Sequence, residues 1–367
     1  ISSAMSGVTN ELLSNIKKIA KEFPDSEKDV ILSTGEQVAC ALIAGKLNEL
    51  GYISRSWLSW QIPILTEGKY NSSRIINIYK NKILNYLKKG GIPIIAGFQG
   101  INSDNRLTTL ERGGSDASAI MCAKFFKAKE CIIYTDVEGV YTTDPRLIKS
   151  AKKINKISYE EMLEMASLGA KVMQPASIQD ARINRIDVKV KSAFNNRKGT
   201  LITKKNKIHN NNVIRGISFT KNDAKFTLIG VKDKPGVAAS IFKPLYQNSV
   251  NVDMVVQNIS VFGRHTDITF TIKKEDLSKT EKLINKNKSI KFDKLIIDKN
   301  VSKVSIIGVG MVTTPGVTYR MFQALAKKKI NIEVISTSEI KISVLVNEKN
   351  LKKSVETLHK EFKLDSL

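Results

Sequence analysis

Cysteine is scarce in this chain, with only Cys40, Cys122 and Cys131 among 367 residues. All three sit in apolar runs without CxxC spacing. That excludes a disulfide framework and a thiolate metal cluster, and reads as buried free thiols in a reducing compartment. Histidine is equally rare. His209, His265 and His359 are scattered, so no metal site is expected. The two tryptophans, Trp57 and Trp60, read as packing residues rather than a cofactor box. No run looks long and apolar enough to span a membrane, and no signal-peptide pattern opens the chain; the expected location is cytoplasmic, with no membrane partner.

Basic residues, by contrast, abound: 59 Lys and Arg against 35 Asp and Glu give a net charge of +24. The lysines are spread along the chain among Asn and Ile. They form no basic stripe interleaved with aromatics, so nucleic acid is not an expected partner, whereas anionic small substrates suit such a charge. At this length two or three domains can each bury a core.

The chain is organised around the stretch 108–146, TTLERGGSDASAIMCAKFFKAKECIIYTDVEGVYTTDPR. A glycine turn (Gly113-Gly114) runs into Ser115, expected as an N-cap, and Asp116, a first-turn acid. Free amides at such a turn can hold an anion. The apolar run that follows predicts a buried helix, and 131–134 a buried strand ending at Thr135-Asp136. Upstream, 92–98 is a second apolar strand, so strand, helix and strand are expected as a right-handed βαβ unit with a parallel pair. Polar groups past both strand ends lie where open α/β sheets bind ligands.

These two segments, TTLxRGGSD and YTDVxGVYTTDPR, resemble the signature segments of aspartate kinases, within the amino-acid kinase family. The resemblance implies an α/β, three-layer αβα domain with a mainly parallel central sheet. It also implies phosphoryl transfer from ATP to the side-chain carboxylate of L-aspartate, with Mg²⁺ entering on the nucleotide. One departure is Glu111, where the family usually has glycine.

The chain opens without Met, at Ile1-Ser2-Ser3-Ala4-Met5-Ser6-Gly7, which reads as a strand end, a glycine turn and a helix over 10–23. The family carries a KFGGTS-like segment before this point, and no such pattern occurs here. We therefore expect an N-terminally truncated chain, short by one βα unit of on the order of 35 residues. Glu36, after Leu32-Ser33-Thr34-Gly35, reads as a first-turn acid of a helix over 37–51. An amphipathic helix is expected over 71–89, and a further helix beginning at Gly169-Ala170-Lys171-Val172. Residues 204–215 read as a polar linker that closes a kinase domain over 1–203.

The remainder contains a repeat. Pro235-Gly236-Val237 recurs as Pro315-Gly316-Val317, and at the same offset of 80 Asn251-Val252 recurs as Asn331-Ile332. Each copy reads as strand, Pro-Gly turn, helix, strand, with too few apolar residues to fold alone, so the copies should pair. They resemble ACT modules, α+β ferredoxin-like amino-acid sensors, over 216–300 and 301–367. The resemblance implies lysine and/or threonine as effectors, and a homodimer or higher oligomer joined through these modules.

Matched residue by residue, the family's substrate side falls on Ser3, Thr9, Glu36, Phe98, Arg112, Ser115 and Asp116. Its nucleotide side falls on Thr135, Asp136, Tyr141, Asp144, Arg146 and Lys171. Effector positions fall on Asp233, Gly236, Val237, Ala238, Asn251, Asp253, Gln257, Val317, Thr318, Asn331, Ile332, Glu333, Thr337 and Ser338. The implied nucleophile is a carboxylate, ionised at neutral pH, which fits a site without histidine. Two alternatives stand beside this reading: another kinase of the amino-acid family, and a non-catalytic amino-acid-sensing subunit.

Overall fold

The computed structural model describes residues 1–111, 113–169, 172–204, 212–259, 265–287 and 290–366. It divides into two compact units. The first comprises Ile1–Val140, Asn155–Ser167 and Lys171–His209, and the second Tyr141–Ile154, Leu168–Ala170 and Asn210–Leu367. Residues 141–154 thus pack with the second unit although they precede the boundary read at 203.

In the first unit the helices are α1 (Val8–Ile19), α2 (Asp25–Glu49), α3 (Asn81–Lys88), α4 (Gly114–Phe126), α5 (Tyr159–Ser167) and α6 (Pro175–Asn184). Strands β1 (Ser54–Trp57) and β4 (Ile92–Ile95) pair in parallel, and Ser2 makes a parallel bridge to Ala96. A second sheet has β7 (Cys131–Thr135) parallel to β9 (Val188–Ser192), then β10 (Thr200–Thr203), then β8 (Lys156–Ser158). A smaller sheet runs β3 (Arg74–Ile78), β2 (Ile64–Glu67), β5 (Gln99–Ile101), β6 (Leu107–Thr109). Trp57, Ile64, Ile78, Ile95, Leu110 and Met121 share one core, with Trp57 edge-on to Tyr86. Trp60, by contrast, is 54% exposed and packs nothing comparable.

Several local expectations are corrected. The helix expected over 10–23 runs instead over Val8–Ile19. The strands at 92 and 131 are not bonded to each other: β4 pairs with β1, β7 pairs with β9, and the β5–β6 hairpin intervenes in sequence. The stretch 71–89 splits into β3 and α3, because its β-branched Ile75 and Ile78 pair against β2, and pairing overrides the helical period. Ser115 is not the N-cap. Gly113, at φ 83°, caps α4 from the left-handed region, and the helix starts at Gly114. Past Gly169 the next helix starts only at Pro175, while Ala170 and Lys171 lie outside the described residues.

The largest change is α2, which begins at Asp25 and not near 37. Asp25 and Glu27 complement its dipole. Gly35 sits inside it because a Cβ there would come within 2.9 Å of the Ala4 methyl. By length and composition α2 could cross a membrane, against the reading above that no run could. Its buried Asp29, Ser33 and Glu36 and its packing on β1, β4 and β6 make it a core helix.

In the second unit the two repeats form one antiparallel sheet in the order β12 (Val252–Ile259), β13 (His265–Lys273), β11 (Gly216–Lys232), β14 (Lys294–Ile307), β16 (Lys341–Asn347), β15 (Val334–Thr337). The expected pairing of modules therefore occurs within the chain, through β11 against β14. Helices α7 (Val237–Gln247) and α8 (Leu277–Lys286) cover the first repeat's core around Phe226, Ile241 and Phe270. Helices α9 (Val317–Lys327) and α10 (Leu351–Glu361) cover the second's, around Val304, Met321 and Val344.

Candidate active site

Three loops of the first unit converge at the end of β4. Ser2 N–H donates to Ile95 O at 2.9 Å and Gly97 N–H to Ser2 O at 3.0 Å, which seats Ser3 and Ala4 just past the strand. Phe98 follows in the left-handed region at φ 65°, a costly conformation for a bulky side chain. It is held by Ser118 Oγ, which accepts its N–H at 3.0 Å, and by Leu110 N–H, which donates to its carbonyl at 2.9 Å. Gly114 is required beneath it, since a Cβ there would lie 2.7 Å from Phe98 Cδ2. At Gly97 an added Cβ would meet Ser115 Cα at 3.2 Å. These close approaches bring Ser3, Phe98, Ser115 and Asp116 together.

A cleft of about 540 Å³ lies here, lined by Ile1–Ser3, Pro93 and Ile95 of β4, Ser115 and Asp116 of α4, and Cys131–Tyr134 of β7. Burial raises the Asp116 carboxyl to about 6. The same burial pushes the Cys131 thiol up to about 11 and the Cys122 thiol to about 12, so neither is a thiolate at neutral pH. All three cysteines are free and buried, as read from their apolar surroundings.

Glu36 is 4% exposed and lies in the fourth turn of α2, not at a helix start. Its Oε1 accepts the Ala4 N–H at 3.0 Å, and its Oε2 is buried without a hydrogen-bond partner among the described residues. Burial raises its pKa, opposed by the Ala4 hydrogen bond. Thr9 lies in the first turn of α1, which packs on α2. Arg112 and Lys171 lie outside the described residues.

Thr135 ends β7 and its hydroxyl donates to Asp136 Oδ1 at 3.1 Å. Tyr141, Asp144 and Arg146 belong to the second unit. There the Arg146 guanidinium donates to Asp144 from Nε at 3.1 Å and from the terminal nitrogen at 2.9 Å, and holds that carboxyl below its usual range.

Among the effector positions, Gly236 and Gly316 have matching φ of 88° and 87° and cap α7 and α9. Val237 and Val317 bury their side chains in the two cores, while Ala238 and Thr318 sit beside them in the first helical turns. Asp233 is exposed between β11 and α7. Asn251 precedes β12 and Gln257 lies on it; Asn331 and Ile332 precede β15, Thr337 ends it, and Ser338 follows with its N–H donating to Lys341 O at 2.8 Å. Asp253 and Glu333, two of the effector positions the resemblance implies, are each paired with a lysine of the other module, Lys303 and Lys225 respectively.

Sequence reasoning missed Ser118, Gln99 and Asp29. The one signal for Ser118 was its place as the polar residue in an otherwise apolar run. Gln99 is fully buried and ties β5 to α2, donating to Ser33 O at 3.0 Å.

A glycine-capped helix beneath a strained loop at a parallel strand end, in a chain that also carries two paired α+β modules, fits the amino-acid kinase class. Residues 1–192 match the Amino acid kinase family, and residues 226–287 and 304–362 match the ACT domain. The chain is 45% identical over 99% of its length to an aspartate kinase of Pseudomonas fluorescens, of which it covers 89%. Two structures of E. coli aspartokinase III are similar at 26% identity, covering 96% of this chain and 80% of theirs. One is a complex with aspartate and ADP in the R-state, at a TM-score of 0.76; the other is a complex with lysine and aspartate in the T-state, at 0.78. This chain belongs to the aspartate kinase family.

Proposed function

We propose that the chain transfers the γ-phosphoryl group of ATP to the side-chain carboxylate of L-aspartate, giving 4-phospho-L-aspartate, the first step toward lysine, threonine and methionine. The observation that carries this reading is Glu36: a buried carboxylate with one oxygen engaged and the other lacking a donor among the described residues. Burying such an oxygen is costly unless a donor arrives, and an amino-acid ammonium supplies one with opposite charge. Asp116, in the cleft beside Ser3, is a second carboxylate for the same cationic end.

The acceptor carboxylate is ionised at neutral pH, with an ordinary pKa of ~3.9, so no general base is required. The chain's own work is positioning two anions and offsetting their charge. Ser3, Thr9, Phe98, Arg112 and Ser115 are assigned to the aspartate side. Thr135, Asp136, Tyr141, Asp144, Arg146 and Lys171 are assigned to the nucleotide. Mg²⁺ would enter with ATP, held largely by phosphates and water. The three buried free thiols support a cytoplasmic location.

The experiment is aspartyl phosphate trapped as hydroxamate, with glutamate and a nucleoside monophosphate as competing acceptors. Product from aspartate alone is expected. No product, or preference for another acceptor, overturns the reading.

For the second unit we propose feedback control by lysine and/or threonine, bound at the Gly236 and Gly316 helix starts and the adjoining strands, with the modules also pairing across a dimer. The matching helix caps of the two repeats support it. Titrating activity with lysine, threonine and both tests it; indifference to all three mixtures overturns it.

A further inference from the structure

Asp29 is fully buried, and its carboxylate is one of the most heavily bonded side chains of the first unit. Its Oδ2 accepts the Thr109 N–H at 2.7 Å and its Oδ1 the Thr109 hydroxyl at 2.6 Å. The Asn71 N–H reaches both oxygens at 3.1 Å. Two of these partners are backbone N–H groups, which can only donate, and the Thr109 hydroxyl donates as well; a carboxylate takes all three as charge-assisted bonds, whereas an amide has one oxygen to offer and no charge.

What those bonds hold matters more than their number. Thr109 is the last residue of β6 and pairs with Gln99. The next residue, Leu110, bonds its N–H to the carbonyl of the strained Phe98 and bridges to Ser73. Beyond it stand Gly113, which caps α4, and Gly114, which lies under the Phe98 ring. On the helix, Asp29 and Glu36 are seven residues apart, two turns on one buried face, with Ser33 between them receiving Gln99. One face of α2 therefore grips, in order, the end of β6, the start of β5 and the Ala4 loop.

We propose that Asp29 is a positioning residue for the acceptor-substrate half of the site: through Thr109 it sets the height of Phe98 and of the α4 start relative to Glu36. It touches no substrate itself. The proposal rests on the aspartate-kinase reading for its kinetic readout and on the hydrogen-bond chain for a second, independent one.

The test compares Asp29→Asn, Thr109→Val and Thr109→Ser in the full chain. Asp29→Asn keeps the shape, removes the charge and leaves one oxygen for both backbone N–H groups, with its N–H₂ beside the Asn71 N–H. Thr109→Val removes one donor, while Thr109→Ser keeps it and serves as the conservative rescue. For Asp29→Asn and Thr109→Val the KM for aspartate should rise roughly tenfold, with the KM for ATP within about twofold of wild type. Amide exchange of the segment 107–118 should quicken by roughly tenfold, with the segment 159–167 unchanged. Thr109→Ser should match wild type in both. If wild type makes no aspartyl phosphate, the functional reading falls while the exchange result still decides the hydrogen-bond chain. Unchanged exchange in 107–118, or an activity loss that only tracks the folded fraction with both KM values kept, overturns the proposal.

Discussion

The ammonium of Lys303 on β14 is buried and is neutralised by the carboxylate of Asp253 on β12, a residue of the other module. Lys225 of the first module is matched in the same way to Glu333 of the second. Asp253 and Glu333 occupy the same place in the repeat, 80 residues apart. The two pairs thus cross between modules, on the face of β14 opposite the residues that pack on α9 and α10.

Removing the Asp253 carboxylate, itself more than half exposed, strands the buried Lys303 ammonium. Asp253→Ala should destabilise the second unit by about 2–3 kcal/mol, and adding Lys303→Met should restore most of it. Urea denaturation of the two variants checks this. Burial alone would raise the Asp253 pKa, but the Lys303 hydrogen bond and charge outweigh it and hold it low. Its stabilising contribution is therefore full above the unfolded value of ~3.9 and lost as pH falls through the lower folded value. A single Asp253→Ala curve with unchanged midpoint would remove the pair from the stability account.

Asp116 behaves in the opposite sense. Its folded pKa, about 6, lies above the unfolded value, so the folded state binds the proton more tightly and the ionised carboxylate costs stability at neutral pH. Asp116→Asn should raise the thermal midpoint at pH 7 while lowering kcat/KM for aspartate at least roughly tenfold. In wild type, kcat/KM should fall below about pH 6 as the carboxyl takes its proton. Kinetics and melting curves across pH 5–8 read both.

Gly114→Ala places a methyl 2.7 Å from Phe98 Cδ2 and from Leu110 Cβ. Overpacking of this kind costs about 1–3 kcal/mol, and the strained Phe98 backbone is the part able to move. Activity should drop with the secondary structure intact by circular dichroism. Phe98→Gly in the same background should recover part of the stability, as the ring is gone and φ 65° is allowed for glycine, while the Leu110 contact remains.

His359 supplies a separate pH signal in the second unit. It is 1% exposed, and its Nε2 meets Thr142 Oγ at 2.9 Å. Burial lowers its pKa, with Asp365 acting in the opposite direction. For a base held neutral when folded, the unfolded chain binds the proton first, so stability is full above the unfolded value of ~6.5 and declines as pH falls below it. Replacing His359 with Gln should flatten that limb, measured as the denaturation midpoint from pH 5 to 8.

The sequence by itself determined the local chemistry. Gly113-Gly114 before an apolar run specifies a turn into a buried helix, though not that Gly113 rather than Ser115 caps it, and the repeated Pro-Gly-Val turns specify two like modules, since turns and periodicity depend on near neighbours. Cys40, Cys122 and Cys131 were legible as buried thiols for the same reason. Tertiary structure decided which distant surfaces meet. Ser33, Thr34 and Gly35 read as the approach to a helix, yet α2 runs through them because Ala4 packs against Gly35. Residues 75–78 read as helix, yet they pair with β2. Asp29 carried no local signal, because the residue it bonds, Thr109, lies 80 positions away. Asp253 and Glu333 read as effector positions, and only the docking of β11 on β14 hands each a lysine from the other repeat. A pattern along the chain encodes period and turn; the partner of a buried charge is set by the long-range pairing that removes it from water.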